Sequence, residues 1–212
     1  MNNAPILIIG AGGHAKVVAD ALRARDEPVM GFTDRDPAKH GTQVLGMPVL
    51  GDDDFITARS PDSVRLANGI GSVRLPTARR TVYLRFTQLG YSFVTVVHPA
   101  AVVSASVELG DGVQIMAGAV IQPGARIGAN SLINTAAVLD HDCTIGAHCH
   151  LAPGCVLSGG IVVGDECHIG TGASVLHGVR IGARTVVGAG AAVVSDSAGG
   201  GTLAGVPARN LE

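Results

Sequence analysis

The sequence contains no tryptophan, and only 3% of its 212 residues are aromatic. Proteins that bind single-stranded nucleic acid stack the bases on aromatic side chains, and the chain has little material for such a platform. It also lacks an excess of one charge, because 15 Lys and Arg stand against 17 Asp and Glu. A formal charge of −2 gives no electrostatic bias toward a polyanion. We therefore expect no nucleic acid partner.

Long hydrophobic runs are missing as well. The apolar run from Ile6 to Ile9 is far shorter than the roughly 20 residues that a membrane-spanning helix needs. No basic leader of the secretory type precedes it. We expect no membrane partner and a cytoplasmic location.

The four cysteines offer no zinc-binding pattern, because the CxxC spacing does not occur. They share instead one position of the six-residue repeat described below, and they are Cys143, Cys149, Cys155 and Cys167. A free cysteine in such a position behaves as a small apolar residue. We expect all four in the core, and no metal site.

What the chain does contain is an aliphatic residue at every sixth position from residue 97 to residue 193. Neither the helical period of 3.6 nor the strand period of 2 explains this series, whereas a chain that turns a corner every six residues places one apolar side chain inward each time. The residue two positions earlier is small or β-branched, which suits a narrow core. Glycines one or three positions later supply the backbone freedom of tight corners. The series is Val97, Val103, Leu109, Ile115, Ile121, Ile127, Ile133, Leu139, Ile145, Leu151, Leu157, Val163, Ile169, Val175, Ile181, Val187, Val193.

This period predicts a parallel β-helix. Three hexads make one triangular coil of about 18 residues, so residues about 18 apart stack at the spacing of paired strands, ~4.8 Å. The repeat is long enough for about five coils. We predict that residues 95–212 form this all-β domain together with a C-terminal tail.

Residues 1–94 read as a βαβ unit. An apolar strand leads into the glycine-rich loop 10–15, helical spacing follows to residue 25, and the strand Val29–Thr33 ends just before Asp34. The pattern G-x-G-x-x-A with an acid about 20 residues later matches the dinucleotide fingerprint. Only about 60 residues remain before the repeat begins, too few for the second half of a dinucleotide fold. We predict an α/β half-Rossmann domain that binds one nucleotide, with NAD binding or a purely structural glycine turn as alternatives.

Four segments of the chain carry a family resemblance: the loop Gly10–Ala15, Asn134-Thr135, the segment Asp140–Cys143 and the closing Gly205–Ala208. With them, the whole chain resembles the sialic acid O-acetyltransferase and nucleotide-sugar N-acetyltransferase family. The resemblance is greatest to the bacterial enzymes that N-acetylate UDP-4-amino-sugars or GDP-perosamine. It implies a left-handed β-helix, although general rules for β crossovers favour the right hand. It further implies acetyl-CoA as the donor, and a homotrimer with active sites between neighbouring β-helices.

His141 is the candidate general base. It follows the inward Leu139 by two residues, so we expect it to project outward from a corner beside Gly159, which lies one coil further on. Transfer of an acyl group to an amine needs a group that takes up a proton, and imidazole titrates in the useful range. Asp140 or Asp142 can orient the ring, and the resemblance implies Asp142.

For the other site residues the resemblance implies two groups. The nucleotide sugar would meet Gly12, Gly13 and His14 on its phosphate-sugar side, Asp34 and Arg35 at the base or ribose, and Gly71 at the base. Acetyl-CoA would meet His150 near the thioester, backbone groups of Gly159, Thr171 and Ala189, and Arg180 at a phosphate. For His150, which stacks on His168, a structural histidine ladder is the alternative.

The expected function is therefore acetyl-CoA-dependent N-acetylation of a nucleotide-linked amino sugar. O-acetylation of a sialic acid or related sugar is the alternative, and a non-catalytic sugar-nucleotide-binding scaffold is a third possibility. Relatives commonly carry Asn or Asp followed by Asn where this chain has Ser72-Val73. The choice among UDP-, GDP-, dTDP- and CMP-linked acceptors is left open by the sequence.

Overall fold

The computed structural model describes residues 4–211 and consists of an α/β region followed by a β-solenoid. The α/β region contains three helices: α1 (Gly13–Arg23), α2 (Asp53–Thr57) and α3 (Thr77–Gln88). Its strands are β1 (Ile6–Ile9), β2 (Val29–Thr33), β3 (Gln43–Val44), β4 (Met47–Pro48) and β5 (Arg65–Asn68), with 3₁₀ turns at Pro37–Lys39 and Pro61–Ser63.

Strand β1 lies in the centre of a three-stranded parallel sheet in the order β2-β1-β5. All four of its residues are apolar because both faces of the sheet are covered. Ile6 and Ile8 pack toward α1, whereas Leu7 and Ile9 pack toward α3. The predicted half-Rossmann architecture is thus confirmed, although α1 begins three residues before the predicted start at Lys16.

The solenoid has three faces, each a column of two-residue parallel strands. The docked face comprises Val96–Val97, Gln114–Ile115, Leu132–Ile133, His150–Leu151, His168–Ile169, Val186–Val187 and the C-terminal strands Thr202–Ala204 and Arg209–Leu211. The apolar face comprises Val102–Val103, Val120–Ile121, Val138–Leu139, Val156–Leu157, Ser174–Val175 and Ala192–Val193. The polar face comprises Glu108–Leu109, Arg126–Ile127, Thr144–Ile145, Val162–Val163 and Arg180–Ile181.

The predicted left-handed parallel β-helix is confirmed, with about six turns where the repeat alone suggested about five. The additional length comes from the strand Thr202–Ala204, which pairs with Val186–Val187 although it has left the hexad pattern. Residues 18 apart are paired in register along every face, for example His150 with His168. The four cysteines are buried in the solenoid core, as expected.

The glycines of the repeat have two separate roles. Those three positions after the aliphatic residue adopt a left-handed conformation, such as Gly160 at φ 68°. The non-glycine Asp142 occupies the same position at φ 59°. Those one position after the aliphatic residue are needed for close approach instead: a Cβ at Gly128 would lie 2.5 Å from the backbone nitrogen of Ala147. Here the expectation of backbone freedom was wrong, because the constraint is the packing of successive coils.

The α/β region packs against the first three coils of the docked face. Val96 and Leu132 of that face, together with Met116 just after its second strand, belong to the same apolar cluster as α1. The boundary at residues 94 and 95 remains a prediction. In the part of the chain from residue 4 to residue 211, no helix is both long and apolar enough to cross a membrane. The same residues contain no cluster of three or more potential ligands that could hold a metal ion.

Candidate active site

A cavity of about 960 Å³ lies between the glycine-rich loop and the middle and C-terminal coils of the docked face. It brings together predicted residues of both ligand groups, although they are far apart in sequence. They are Gly12, Gly13, His14, Asp34, Gly71, His150, Thr171 and Ala189. Five predicted residues do not line this large cavity, and they are Arg35, His141, Asp142, Gly159 and Arg180.

The glycine-rich loop leaves its backbone open toward the large cavity. A Cβ at Gly12 or at Gly13 would meet no atom within 4 Å. Gly12 is the N-cap of α1 and provides no side chain to cap it. The unpaired N–H groups at a helix N-terminus attract anions. This end of the cavity is therefore suited to a phosphate group.

Asp34, which follows β2, is held by its own loop and by the glycine-rich loop. Its carboxylate accepts hydrogen bonds from the backbone N–H of Ala11 at 2.8 Å, from the backbone N–H of Asp36 at 3.0 Å and from Lys39 Nζ at 2.8 Å. Burial alone would raise the pKa of Asp34, but these hydrogen bonds outweigh it and lower the pKa. Lys39 also lines the large cavity and adds its positive charge to the anion-attracting N-terminus of α1.

A second cavity, of about 290 Å³, lies on the other side of Asp34, between the end of β2 and α3. Apolar side chains such as Ile9 and Val82 line it. Thr33 contributes a fully buried hydroxyl that has no hydrogen-bond partner among residues 4–211. Arg35 lies at this cavity, where it forms an ion pair of 2.9 Å with Asp53. A buried polar group without a partner is costly, so this hydroxyl marks a place where a ligand atom would be stabilised.

His141 lies at the corner between the apolar and polar faces. Its Nδ1 is 2.8 Å from Asp142 Oδ2, whereas Asp140 Oδ1 accepts the backbone N–H of His141 at 2.7 Å. The ring is therefore oriented by Asp142, and the alternative left open by the sequence is resolved. The hydrogen bond to Asp142 raises the pKa of His141. With Nδ1 facing the carboxylate, Nε2 is the nitrogen left for a substrate.

Gly159 lies directly beneath this ring. A Cβ at Gly159 would be 2.5 Å from His141 Nε2, so only glycine leaves room for the imidazole. The backbone N–H of Gly159 is buried and donates to no acceptor within the described residues. A residue with an unpaired N–H thus packs against a ring whose Nε2 is unpaired among the described residues. Arg180 is further out on the polar face, with an exposed side chain.

The histidines of the large cavity have a different environment. His150 is 5% exposed, and both of its ring nitrogens contact protein groups: Ser72 Oγ at 2.8 Å and Asn134 Nδ2 at 3.1 Å. His14 Nε2 is 3.0 Å from Gln114 Oε1. Burial lowers the pKa of His150 to about 3 and the pKa of His14 to about 4. Both rings are neutral near pH 7, and a contact between His150 and a thioester stays a prediction, because one of its present partners would have to be released.

A buried arginine supports the loop that separates the two cavities. Arg79 is fully buried and donates to the backbone oxygens of Asn68, Ile70 and Asn130. No carboxylate neutralises it, and its Nη2 atom has no partner in the described part of the chain. Burial lowers the pKa of Arg79 to about 9, so it remains charged at pH 7. This positive charge contributes to the lowered pKa values of His14 and His150.

The two neutral histidines make stability depend on pH. Their pKa values in the folded protein lie below the value of 6.5 that they have when unfolded. Below pH 6.5 the unfolded chain therefore binds more protons, and stability falls as the pH decreases. At pH 5 we expect His150 alone to lower the free energy of unfolding by about 2 kcal/mol. Urea unfolding at pH 7 and pH 5 measures this loss, and a His150→Gln variant whose loss equals that of the wild type would contradict it.

Several residues of the site had no separate signal in the sequence. Lys39 and Thr33 are ordinary residues of a loop and a strand end, and only the fold shows that they line cavities. Gln114 occupies the outward position of its hexad, where the repeat places no constraint. A polar residue at this position of the docked face, where Val96 and Leu132 are apolar, was the available clue.

Comparisons with known proteins agree with this architecture. The model of the PglD N-terminal domain matches residues 5–85, and the model of the bacterial transferase hexapeptide matches residues 106–140, 124–159 and 160–194. None of the curated proteins matches the sequence.

Solved structures match over nearly the full chain. PerB from Caulobacter crescentus, in complex with CoA and GDP-perosamine, is 45% identical with a TM-score of 0.91, over 99% of this chain and 98% of that one. The acetyltransferase domain of PglB from Neisseria gonorrhoeae FA1090 is 36% identical with a TM-score of 0.90, over 98% and 99%. WeeI from Acinetobacter baumannii AYE is 28% identical with a TM-score of 0.87, over 98% and 100%. Structures of the H141N and H141A variants of the Caulobacter enzyme match as well.

Proposed function

We infer the function from the family: this chain belongs to the nucleotide-sugar N-acetyltransferases, which combine a PglD N-terminal domain with hexapeptide repeats. It is an acetyltransferase that uses acetyl-CoA and acetylates the amino group of a nucleotide-linked amino sugar. The geometric observation that carries this function is the His141–Asp142 pair above Gly159. Its product, an acetamido sugar still linked to its nucleotide, is suited to glycan synthesis.

We propose that His141 acts as the general base. The sugar amine attacks the thioester carbonyl carbon, and the nitrogen then carries a proton that it must lose. His141 Nε2 takes this proton, and Asp142 stabilises the imidazolium through Nδ1. As the C–S bond breaks, the same proton passes to the leaving CoA thiolate. The H141N and H141A variants of the Caulobacter enzyme, whose structures contain CoA and GDP-perosamine, replace a histidine that has the same number as His141.

The N–H of Gly159 is the proposed donor to the developing oxyanion. Acyl transfer is accelerated by preorganised donors near the carbonyl oxygen, each worth roughly 3 kcal/mol. Gly159 is buried, its N–H has no acceptor among residues 4–211, and a Cβ at this residue would lie 2.5 Å from His141 Nε2. The thioester carbonyl can therefore be held and the proton removed at one point of the corner.

We propose that the two cavities together hold the nucleotide sugar. The glycine-rich loop at α1 would bind the diphosphate, with the positive charges of Lys39 and Arg79 nearby. The apolar second cavity with its Thr33 hydroxyl would bind the base of the nucleotide. The relatives bound to GDP-perosamine make a GDP-linked 4-amino sugar the first substrate to test.

We propose a homotrimer, as the family resemblance implies, in which neighbouring chains complete a site that one chain does not bring together. Thr171 and Ala189 lie at the corner between the docked and apolar faces, whereas His141 and Gly159 lie at the opposite edge of the apolar face. A cyclic contact through this face would bring His141 of one chain to the large cavity of the next. The face suits such a contact, since Val102 is 64% exposed and Val156 is 42% exposed.

Release of CoA from acetyl-CoA tests the function. We expect release with GDP-, UDP- or dTDP-linked amino sugars, and none with the matching 4-hydroxy sugars. Activity on free sialic acid and on no amino sugar would favour the O-acetyltransferase alternative. Sedimentation of the full chain measures the oligomeric state, and a monomer that retains full turnover would exclude the shared site.

The Thr33 hydroxyl provides a test of the base site. Thr33→Val keeps the shape of the side chain and removes its hydrogen-bonding atom. We expect the affinity for the cognate nucleotide to fall about tenfold, which corresponds to one lost hydrogen bond. The affinity for CoA should stay unchanged, and titration calorimetry measures both. If the variant binds GDP and UDP as tightly as the wild type does, the nucleotide base lies elsewhere.

A further inference from the structure

Asn134 determines which nitrogen of His150 carries the proton. The Oδ1 atom of Asn134 accepts the backbone N–H of Thr135 at 2.8 Å, so its amide nitrogen is the atom that faces His150 Nε2, at 3.1 Å. An amide nitrogen donates and cannot accept. His150 Nε2 is therefore an acceptor. In the neutral ring the proton must lie on Nδ1.

Ser72 links His150 to His168, which lies on the next coil. Its Oγ lies 2.8 Å from His150 Nδ1 and 3.4 Å from His168 Nδ1. Because His150 Nδ1 donates, Ser72 accepts there, and its own hydrogen is available to His168 Nδ1. A neutral His168 that accepts at Nδ1 carries its proton on Nε2. That nitrogen has no protein partner among residues 4–211, and His168 lines the large cavity.

We infer that Ser72 is a positioning residue of this enzyme: Asn134, His150, Ser72 and His168 form a one-directional hydrogen-bond chain that presents His168 Nε2–H to an acceptor oxygen of the ligand in the large cavity. The ligand part rests on the proposed function, since the oxygen belongs to the nucleotide sugar or to acetyl-CoA. The direction of the hydrogen bonds from Asn134 to His168 is independent of the proposed function. The two rings lie edge to face with centroids 4.9 Å apart. Turning either ring over would replace its Nδ1 by a carbon and break its contact with Ser72 Oγ.

The tautomers can be measured directly. Histidine-selective ¹⁵N labelling of the full-length protein and a long-range ¹H–¹⁵N correlation at pH 7 distinguish protonated from bare ring nitrogens, with His168→Gln used for assignment. We expect His150 protonated on Nδ1 and His168 protonated on Nε2. A proton on His150 Nε2, a proton on His168 Nδ1, or full ionisation of either ring would overturn the chain. This readout does not depend on acetyl transfer.

The role of Ser72 is tested with a matched pair of variants. Ser72→Ala removes the link, so we expect a mixture of tautomers at His168 while His150, still held by Asn134, keeps its Nδ1 proton. Calorimetric affinity should fall about tenfold for either GDP-perosamine or CoA, and the ligand affected identifies the source of the oxygen. Ser72→Thr keeps the hydroxyl and should restore both properties.

Two results would overturn this role: an unchanged His168 tautomer in Ser72→Ala, or an altered tautomer with both affinities unchanged. A wild-type protein that binds neither ligand would instead contradict the proposed function. In that case the measured tautomers of His150 and His168 are the only test of the hydrogen-bond chain.

Discussion

Replacing Ile145 with Asp is expected to abolish the native fold of the solenoid. Ile145 is 2% exposed, and its neighbours on the adjacent coils, Ile127 and Val163, are equally buried. The variant loses roughly 2–3 kcal/mol of apolar burial and places a carboxylate without a partner in the core, which costs several kcal/mol more. Domains of this size are stable by only about 5–15 kcal/mol. We expect little soluble protein and no cooperative melting transition by circular dichroism.

Thr144→Asp is the matched control for this variant. Thr144 is the preceding residue, points outward on the polar face and pairs in register with Arg126. A carboxylate there remains in water and lies next to a positive charge. Its melting temperature should equal that of the wild type. Native-like melting of Ile145→Asp, or loss of the fold in both variants, would show that the inward register is wrong.

The fold could be predicted from the sequence because its determinants are periodic. An inward residue such as Ile145 recurs every six positions, and a one-residue shift would bury Thr144 or Arg126 instead. The continuous apolar run of β1 predicted a buried parallel strand in the same way. Local boundaries were less certain, because the first turn of α1 contains glycine and the loop residues themselves.

The chemistry of the site could be predicted only in part. His141 was identifiable because an outward histidine follows an inward position and faces a glycine one coil away. Its partner was not, since Asp140 and Asp142 are equivalent in sequence and differ only in the direction of their side chains. The contact of Ser72 with His150 crosses from one region to the other, and no periodicity encodes such a pairing.

Replacing His141 with Asn is expected to lower kcat about 10- to 100-fold at pH 7. This loss is at or below the lower limit of about 100-fold that is typical of general bases, because an amine is a good nucleophile and sheds part of its proton without assistance. In the wild type, kcat should rise with pH through the pKa of His141, which the hydrogen bond to Asp142 raises. The variant should lose this dependence. His177→Asn is the control, because its ring centroid lies 6.1 Å from that of His141 and the His141–Asp142 pair is left intact.

Gly159→Ala should reproduce this loss without touching the histidine. The added Cβ would lie 2.5 Å from His141 Nε2, so the ring must move away from the position in which it receives the proton. The same methyl group would crowd the free N–H that is proposed to hold the oxyanion. Because both substitutions disable one arrangement, the double variant should be little slower than the slower single variant. Rates measured for the four proteins from pH 6 to pH 9 give the coupling. Fully additive losses would mean that His141 and Gly159 act at separate places, and the corner would then not be the active site.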